Sequence, residues 1–170
     1  DHGRNRLPGN GYTLHACNLH PRSRGRIYLA SASAADKVRI EAGYLSDPEG
    51  FDLQVMLEAL RLSREILAQP AFASYRGEEL QPGEKAQDEA ALVDFIRRKS
   101  ESIYHPVGTC RMGRADDPDA VVDPQLRVRG VAGLRVVDAS VMPKLVGGNT
   151  NAPTMMIAER AADLIRGLAA

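Results

Sequence analysis

Two short stretches hold residues whose types and spacing could do chemistry. Residues 104–113, YHPVGTCRMG, place His105 in a run with neither helical nor strand periodicity, flanked by Pro106, Gly108 and Gly113. A histidine in such a loop can serve as a general base, because its unperturbed pKa of about 6.5 lets it exchange a proton near neutrality. It can equally be tied into the loop by a backbone hydrogen bond. Residues 147–154, GGNTNAPT, set Asn149 and Asn151 beside two glycines directly ahead of an apolar helical run. A helix N-terminus carries free N–H groups and roughly half a positive charge, so an anionic or electron-rich group can dock there. The plainer reading is a capping motif, with Asn151 as cap and Asn149 in a turn. A cap needs only one side chain, and the second asparagine weighs toward binding.

Other reactive side chains read as structural. His15 and His20 flank a strand and its turn, and a spacing of five does not put them on one face. Arg22, Arg24 and Arg26 in PRSRGR could hold a phosphate, but three cations at a turn suit a solvated hairpin better. Met155 and Met156 fit as core filler on a buried helix. Cys17 and Cys110 have no metal-ligand spacing and are too few for a disulfide framework, so reduced thiols and a cytoplasmic setting are expected. No G-x-G-x-x-G, P-loop, HExxH, nucleophile elbow or CxxC occurs, so the chain has no cradle of that kind for a pyrophosphate and no metal site is expected.

These residues must be positioned by local elements. Residues 11–19, 26–30 and 37–45 are rich in strand formers and predict three strands, the first two antiparallel across PRSRG. Leu53, Met56, Leu57, Leu60 and Leu67 then recur at helical spacing, predicting a helix over 51–68, capped by Ser46 or Asp47 with Pro48 in its first turn and closed by Pro70. Residues 71–85 read as irregular. Leu92, Val93 and Ile96 mark a second helix over 87–101 with a charged, solvent-facing side. Beyond the aperiodic 104–113 stretch, VV at 121 and LRVVD at 134 predict short strands punctuated by Pro124, Gly130 and Gly133. MMIAERAADLIRGLA, apolar almost all round, predicts a buried C-terminal helix with Asn151 as N-cap and Pro153 in the first turn.

Composition bounds the function. The 170 residues are 44% hydrophobic, with 22 basic residues balancing 22 acidic ones, which is ordinary globular composition. A balanced chain lacks the positive excess that nucleic-acid binding uses to displace counterions. The longest apolar stretch is about half of the roughly 20 residues a membrane span requires, and DHGRNRLPGNG has no signal-peptide core.

Three blocks, YHPVGTCRMG, VVDPQLRVRGVAGLRVVDASVMP at 121–143 and GNTNAPTMMIAERAADLI at 148–165, closely resemble the C-terminal signature of the glucose-methanol-choline oxidoreductases, nearest the choline dehydrogenase and alcohol dehydrogenase-like branch. LHPRSRGRIYLASA and IEAGYLSDPEG resemble the stretch before it, so the likeness covers residues 11–168. The resemblance implies an FAD-dependent enzyme considerably longer than this chain, whose N-terminal half, carrying the Gly-rich fingerprint, lies outside it. The implied fold is α+β: part of an antiparallel-sheet substrate-binding domain with covering helices, plus the C-terminal strand and helix that complete an FAD-binding domain. On that map residues 1–10 are a tail, 11–104 a substrate-binding segment, 105–119 the active-site loop region and 120–170 the C-terminal segment of the FAD domain.

Carried over by position, the resemblance makes His105 the catalytic histidine and Asn149 the second catalytic position, which is His or Asn in different members. It sets Asp138 and Ala139 against the flavin's phosphate and ribityl region. Asn151, Ala152 and Thr154 would form the corner against the pyrimidine ring of the isoalloxazine. The implied reaction oxidises a small-molecule primary alcohol, choline or another, to an aldehyde, with His105 taking the hydroxyl proton and FAD taking the hydride. It leaves the particular alcohol, the oligomeric state and the electron acceptor open; a quinone acceptor would put the enzyme at a membrane surface rather than free in the cytoplasm. A piece lacking its flavin half is expected to expose an apolar face along 153–168 and to self-associate. The alternative is a non-catalytic α+β binding domain whose loops only cap helices. A metal hydrolase lacks a ligand set, since only His105 lies in a candidate site.

Overall fold

The protein is described by a computed structural model covering residues 9–168; the expected tail therefore falls almost wholly outside the described residues. The chain forms two compact units. One comprises Ala42–Ile103 with the chain up to Gly25, the other Arg26–Glu41 with the chain from Tyr104 onward. Helices and a short antiparallel sheet make it α+β.

In the first unit the leucine spacing produces helix α1, Phe51–Leu67, and the second apolar stripe produces α2, Glu89–Lys99. Leu57, Leu92 and Ile96 are buried between them, with Leu53, Met56, Leu60 and Phe95 packed around. The Asp88 carboxylate caps α2 by accepting the Ala91 N–H at 2.8 Å, and Arg97, Arg98 and Lys99 complement the dipole at the other end. At α1 the cap is less direct than its sequence suggests. Gly50 occupies the N-cap position in a left-handed conformation, φ 69°, and Pro48 lies outside the helix. Asp47 nevertheless supplies the capping oxygen from upstream, accepting the N–H groups of Phe51 at 2.6 Å and Asp52 at 3.2 Å.

Residues 11–19 form no strand, and PRSRG is not a hairpin turn. For PRSRG the reason is Asp52, buried at 3% exposure on the first turn of α1. Its carboxylate accepts from the Arg22 N–H (2.8 Å), the Ser23 N–H (2.8 Å), the Ser23 hydroxyl (2.5 Å) and the Asn18 amide (3.0 Å). The Arg22 and Ser23 N–H groups inside PRSRG are thereby satisfied by one side chain and not by a hairpin. The nearby arginines are also engaged: Arg22 pairs with Glu49 and stacks 4.0 Å over Phe51, while Arg24 donates to the carbonyls of Pro21 and Ser23.

This carboxylate predicts a pH dependence. Burial pushes the Asp52 carboxyl up, but the hydrogen bonds from Ser23, Arg22 and Asn18 outweigh it and hold the group below the usual carboxylate range. A depressed folded-state value contributes stability above the unfolded pKa of about 3.9 that is lost as pH falls through the folded value. Thermal melts of the chain and of Asp52→Asn should therefore differ by several degrees at pH 7 and converge as pH drops below about 4. A constant difference across that window would rule out the charged carboxylate as the stabilising species.

The second unit begins with β1, Arg26–Tyr28, paired antiparallel to β2, Arg39–Glu41, in the register Arg26↔Glu41, Ile27↔Ile40, Tyr28↔Arg39. The second and third expected strands thus pair with each other, not the first with the second. Arg26 donates to Glu41 at 2.6 Å and the Tyr28 hydroxyl to the same carboxylate at 2.6 Å. Both strands are exposed along their length, so the helix-covered sheet expected from the sequence is, among the described residues, a bare two-stranded ribbon.

The core of this unit is Val122, Leu126, Val141, Met142, Ile157 and Ala161. The short strands expected near 121 and 134 are reduced to single bridges, Met112↔Val122, Val122↔Val128 and Arg127↔Arg135, because Pro124, Gly130 and Gly133 interrupt any longer ladder. A 3-10 turn, Ala139–Val141, follows, and then helix α3, Asn151–Arg166. The expected burial of α3 is not observed. Only Ile157 and Ala161 are buried, while Met155 and Met156 are 56% and 61% exposed and do not fill the core. A helix apolar nearly all round needs neighbours on several sides, and this unit covers one narrow stripe.

Candidate active site

The loop that carries His105 is built by backbone contacts. Tyr104 takes a left-handed conformation, φ 64°, which costs free energy for a side chain of that size and turns the chain sharply into His105. Val107 anchors the loop on the unit's core. Gly108, at φ 87°, passes so close to the backbone that a Cβ there would sit 3.3 Å from the Met142 carbonyl oxygen. The Cys110 N–H donates to Ser140 O at 3.0 Å and the Met112 N–H to Val141 O at 2.8 Å, so the loop runs beside the Ala139–Val141 turn. At its far end Arg111 holds Asp117 in a two-pronged pair, 2.7 and 2.9 Å. The Arg111 hydrogen bond keeps the Asp117 carboxyl below its ordinary pKa.

His105 is half-buried, and its Nδ1 lies 2.9 Å from the Thr150 hydroxyl oxygen. The Thr150 N–H reaches the same nitrogen at 3.4 Å. Thr150 is buried at 8% exposure, and the preceding Asn149 is exposed. Two stretches some 45 residues apart in sequence are thereby joined.

Thr150, not Asn151, is the N-cap of α3, and its side chain makes no capping bond. Asn151 and Ala152 are the exposed first residues of the helix, and Pro153 brings no N–H of its own. Thr154 is turned inward, its N–H and hydroxyl both donating to the Thr150 carbonyl at 3.0 and 2.6 Å. The 16-residue helix therefore presents an open, partly positive end beside His105 and Asn149.

Asp138 caps the 3-10 turn, accepting from the Ser140 N–H at 2.8 Å and the Ser140 hydroxyl at 2.5 Å, while Ala139 packs against the core. The sequence candidates thus gather within one unit: His105 on the loop, Asn149, Asn151, Ala152 and Thr154 at the start of α3, and Asp138 and Ala139 on the turn beside the loop. Thr150 was not singled out from the sequence. Its signal there is a hydroxyl between two asparagines, indistinguishable from a cap. His15 and His20 lie in the other unit. Among the described residues no group of three or more His, Cys, Asp and Glu could hold a metal ion, and no helix is long and apolar enough to cross a membrane.

Known proteins share this arrangement of sequence and fold. The family model for GMC oxidoreductase matches residues 21–158. An alcohol dehydrogenase (acceptor) of Pseudomonas putida is 53% identical over 97% of this chain, and a choline oxidase of Arthrobacter globiformis 51% identical over 92%; in both cases the match spans 29% of the relative's length. The crystal structure of pyridoxine 4-oxidase from Mesorbium loti superimposes with a TM-score of 0.78 and 39% identity, over 88% of this chain and 28% of that one. An FAD-dependent oxidoreductase from Chaetomium thermophilum matches with the same TM-score at 30% identity. The chain spans less than a third of the length of these proteins, and with most of its residues matched it belongs to the GMC oxidoreductases, a family of FAD-dependent flavoproteins.

Proposed function

We propose that this chain is the C-terminal part of a flavoenzyme that oxidises a primary alcohol, choline or another, to the aldehyde. The observation that carries the reading is the joining of His105 to the start of α3, where Asn149 and an uncapped helix end stand together. On this reading residues 11–104 contribute to substrate binding, 105–119 form the active-site loop region and 120–170 complete the FAD domain.

The donor set suits the electron-rich edge of a flavin. The end of α3 has no side-chain cap, and exposed Asn151 and Ala152 offer main-chain N–H groups on a positive helix terminus. Asp138 and Ala139 would lie toward the ribityl and phosphate side; Thr154 would act through its backbone, since its hydroxyl is spent on Thr150. FAD, when bound, supplies the acceptor for the hydride that leaves the alcohol carbon.

The chain's own residues handle the oxygen. The alcohol O–H bond breaks as His105 takes the proton on its ring nitrogen, and the electron pair left on oxygen forms the aldehyde C=O as the hydride departs. Asn149 donates a hydrogen bond from its side-chain amide to the same oxygen and stabilises the charge that develops there. The positive end of α3 favours the negative charge gained on the acceptor side.

Two measurements test this. The full-length protein should purify yellow and bleach anaerobically when mixed with primary alcohols; a colourless protein, or one that no primary alcohol bleaches, overturns the reading. The 170-residue chain alone should bind FAD weakly or not at all, since it brings the helix end and no pyrophosphate cradle, and should self-associate through the exposed Met155, Met156, Ile165 and Leu168. Titration and gel filtration read both. A stoichiometric yellow monomer would show that the division proposed for the two halves is wrong.

A further inference from the structure

We infer that Thr150 is a positioning residue for His105: it engages Nδ1 and thereby commits Nε2 to the substrate. The inference rests on His105 being the group that handles the alcohol proton. Three observations on one residue converge. A threonine at an N-cap position ordinarily turns its hydroxyl onto an N–H of the first helical turn, but Thr150 makes no such bond and leaves α3 uncapped. The hydroxyl instead lies 2.9 Å from His105 Nδ1, while the amide of the same residue stands 3.4 Å away, too long to compete with it for that nitrogen. Thr150 is buried, so its hydroxyl has little water to turn to, and the hydrogen bond to the ring satisfies it.

An imidazole has two nitrogens at opposite corners of one ring. With Nδ1 held from behind, the lone pair or proton offered forward belongs to Nε2. A hydroxyl can do this because its oxygen accepts a hydrogen bond. It accepts from Nδ1–H when Nε2 carries the lone pair, and it keeps the same bond in the imidazolium formed once Nε2 has taken the proton. The Thr150 carbonyl is clamped in turn by the N–H and hydroxyl of Thr154, and the ring is approached through the strained Tyr104 backbone. The histidine is thus oriented from both sides, as a proton acceptor must be to meet a hydroxyl within hydrogen-bonding distance.

Thr150→Val keeps the shape and removes the hydroxyl; Thr150→Ser keeps the hydroxyl and trims a methyl. In full-length protein carrying ring-15N histidine, with the His105 signals assigned by their loss in His105→Gln, the Nδ1 resonance should move by several ppm in the valine variant and stay within about one in the serine variant. The maximal rate of anaerobic flavin reduction should fall about 10- to 100-fold in the valine variant, as for other groups that orient a working histidine, and recover to within a few fold in the serine variant, with the alcohol's apparent dissociation constant little changed in either. Unchanged His105 signals in Thr150→Val overturn the inference, and so does an equal loss in both variants, which would mark a packing role. If the Nδ1 signal responds as expected while His105→Gln reduces flavin at the wild-type rate, the contact stands and it is the base assignment of His105 that fails.

Discussion

Replacing His105 by Ala in the full-length protein should lower the rate of flavin reduction by about two to four orders of magnitude, the usual worth of a positioned base. The alcohol carbon releases hydride readily only as its hydroxyl proton leaves, because the oxygen lone pair drives the hydride out. On the proposed mechanism the variant leaves that proton with no acceptor in place, and water must be recruited at a disadvantage in orientation. Cofactor content should be unaffected: His105 is half-buried on a loop whose shape is set by main-chain bonds to Ser140 and Val141, by Val107 in the core and by the Arg111–Asp117 pair, none of which the substitution touches. Stopped-flow bleaching of the flavin, alongside its absorbance ratio to protein, measures both quantities. Reduction at close to the wild-type rate would remove His105 from the mechanism.

Asn149→Ala should cost less, about one to three orders of magnitude, since it deletes a hydrogen-bond donor to the oxygen and leaves the base in place. The side chain is exposed and makes no hydrogen bond among the described residues, so loss of rate would not be a secondary effect of unfolding. On the proposed mechanism both residues act on one substrate atom, and the double variant should therefore fall short of the product of the single effects. Full multiplicativity would mean that the two side chains do not meet at the same oxygen. The same stopped-flow series, run on four proteins, decides it.

The helices were the most legible part of the fold. Leu53, Met56, Leu57 and Leu60 on α1 and Leu92 and Ile96 on α2 each form one stripe, and the two stripes bury each other, so local period and packing partner coincide. Strand pairing was less legible, because a strand's partner lies elsewhere in the chain. Residues 11–19 have strand-forming composition, yet Asp52 takes the donors of the segment that follows, and Arg26–Tyr28 pairs onward to Arg39–Glu41 instead of backward.

The candidate site divides in the same way. The sequence by itself determined the family, through long ordered blocks around His105 and Asn149, and it determined which segments are helical, because helical period and turn-forming residues are properties of neighbours in the chain. The partner of the Thr150 hydroxyl was decided only by the tertiary structure, as was the exposure of Met155 and Met156 on α3. A hydroxyl or carboxylate can satisfy any donor or acceptor within about 3 Å, and an apolar side chain is buried only where another surface covers it. Which groups come that close is settled by the folding of distant segments onto one another. Thr150, beside the Asn151 that the sequence marks as the cap, lies in the structure 2.9 Å from a histidine some 45 residues away.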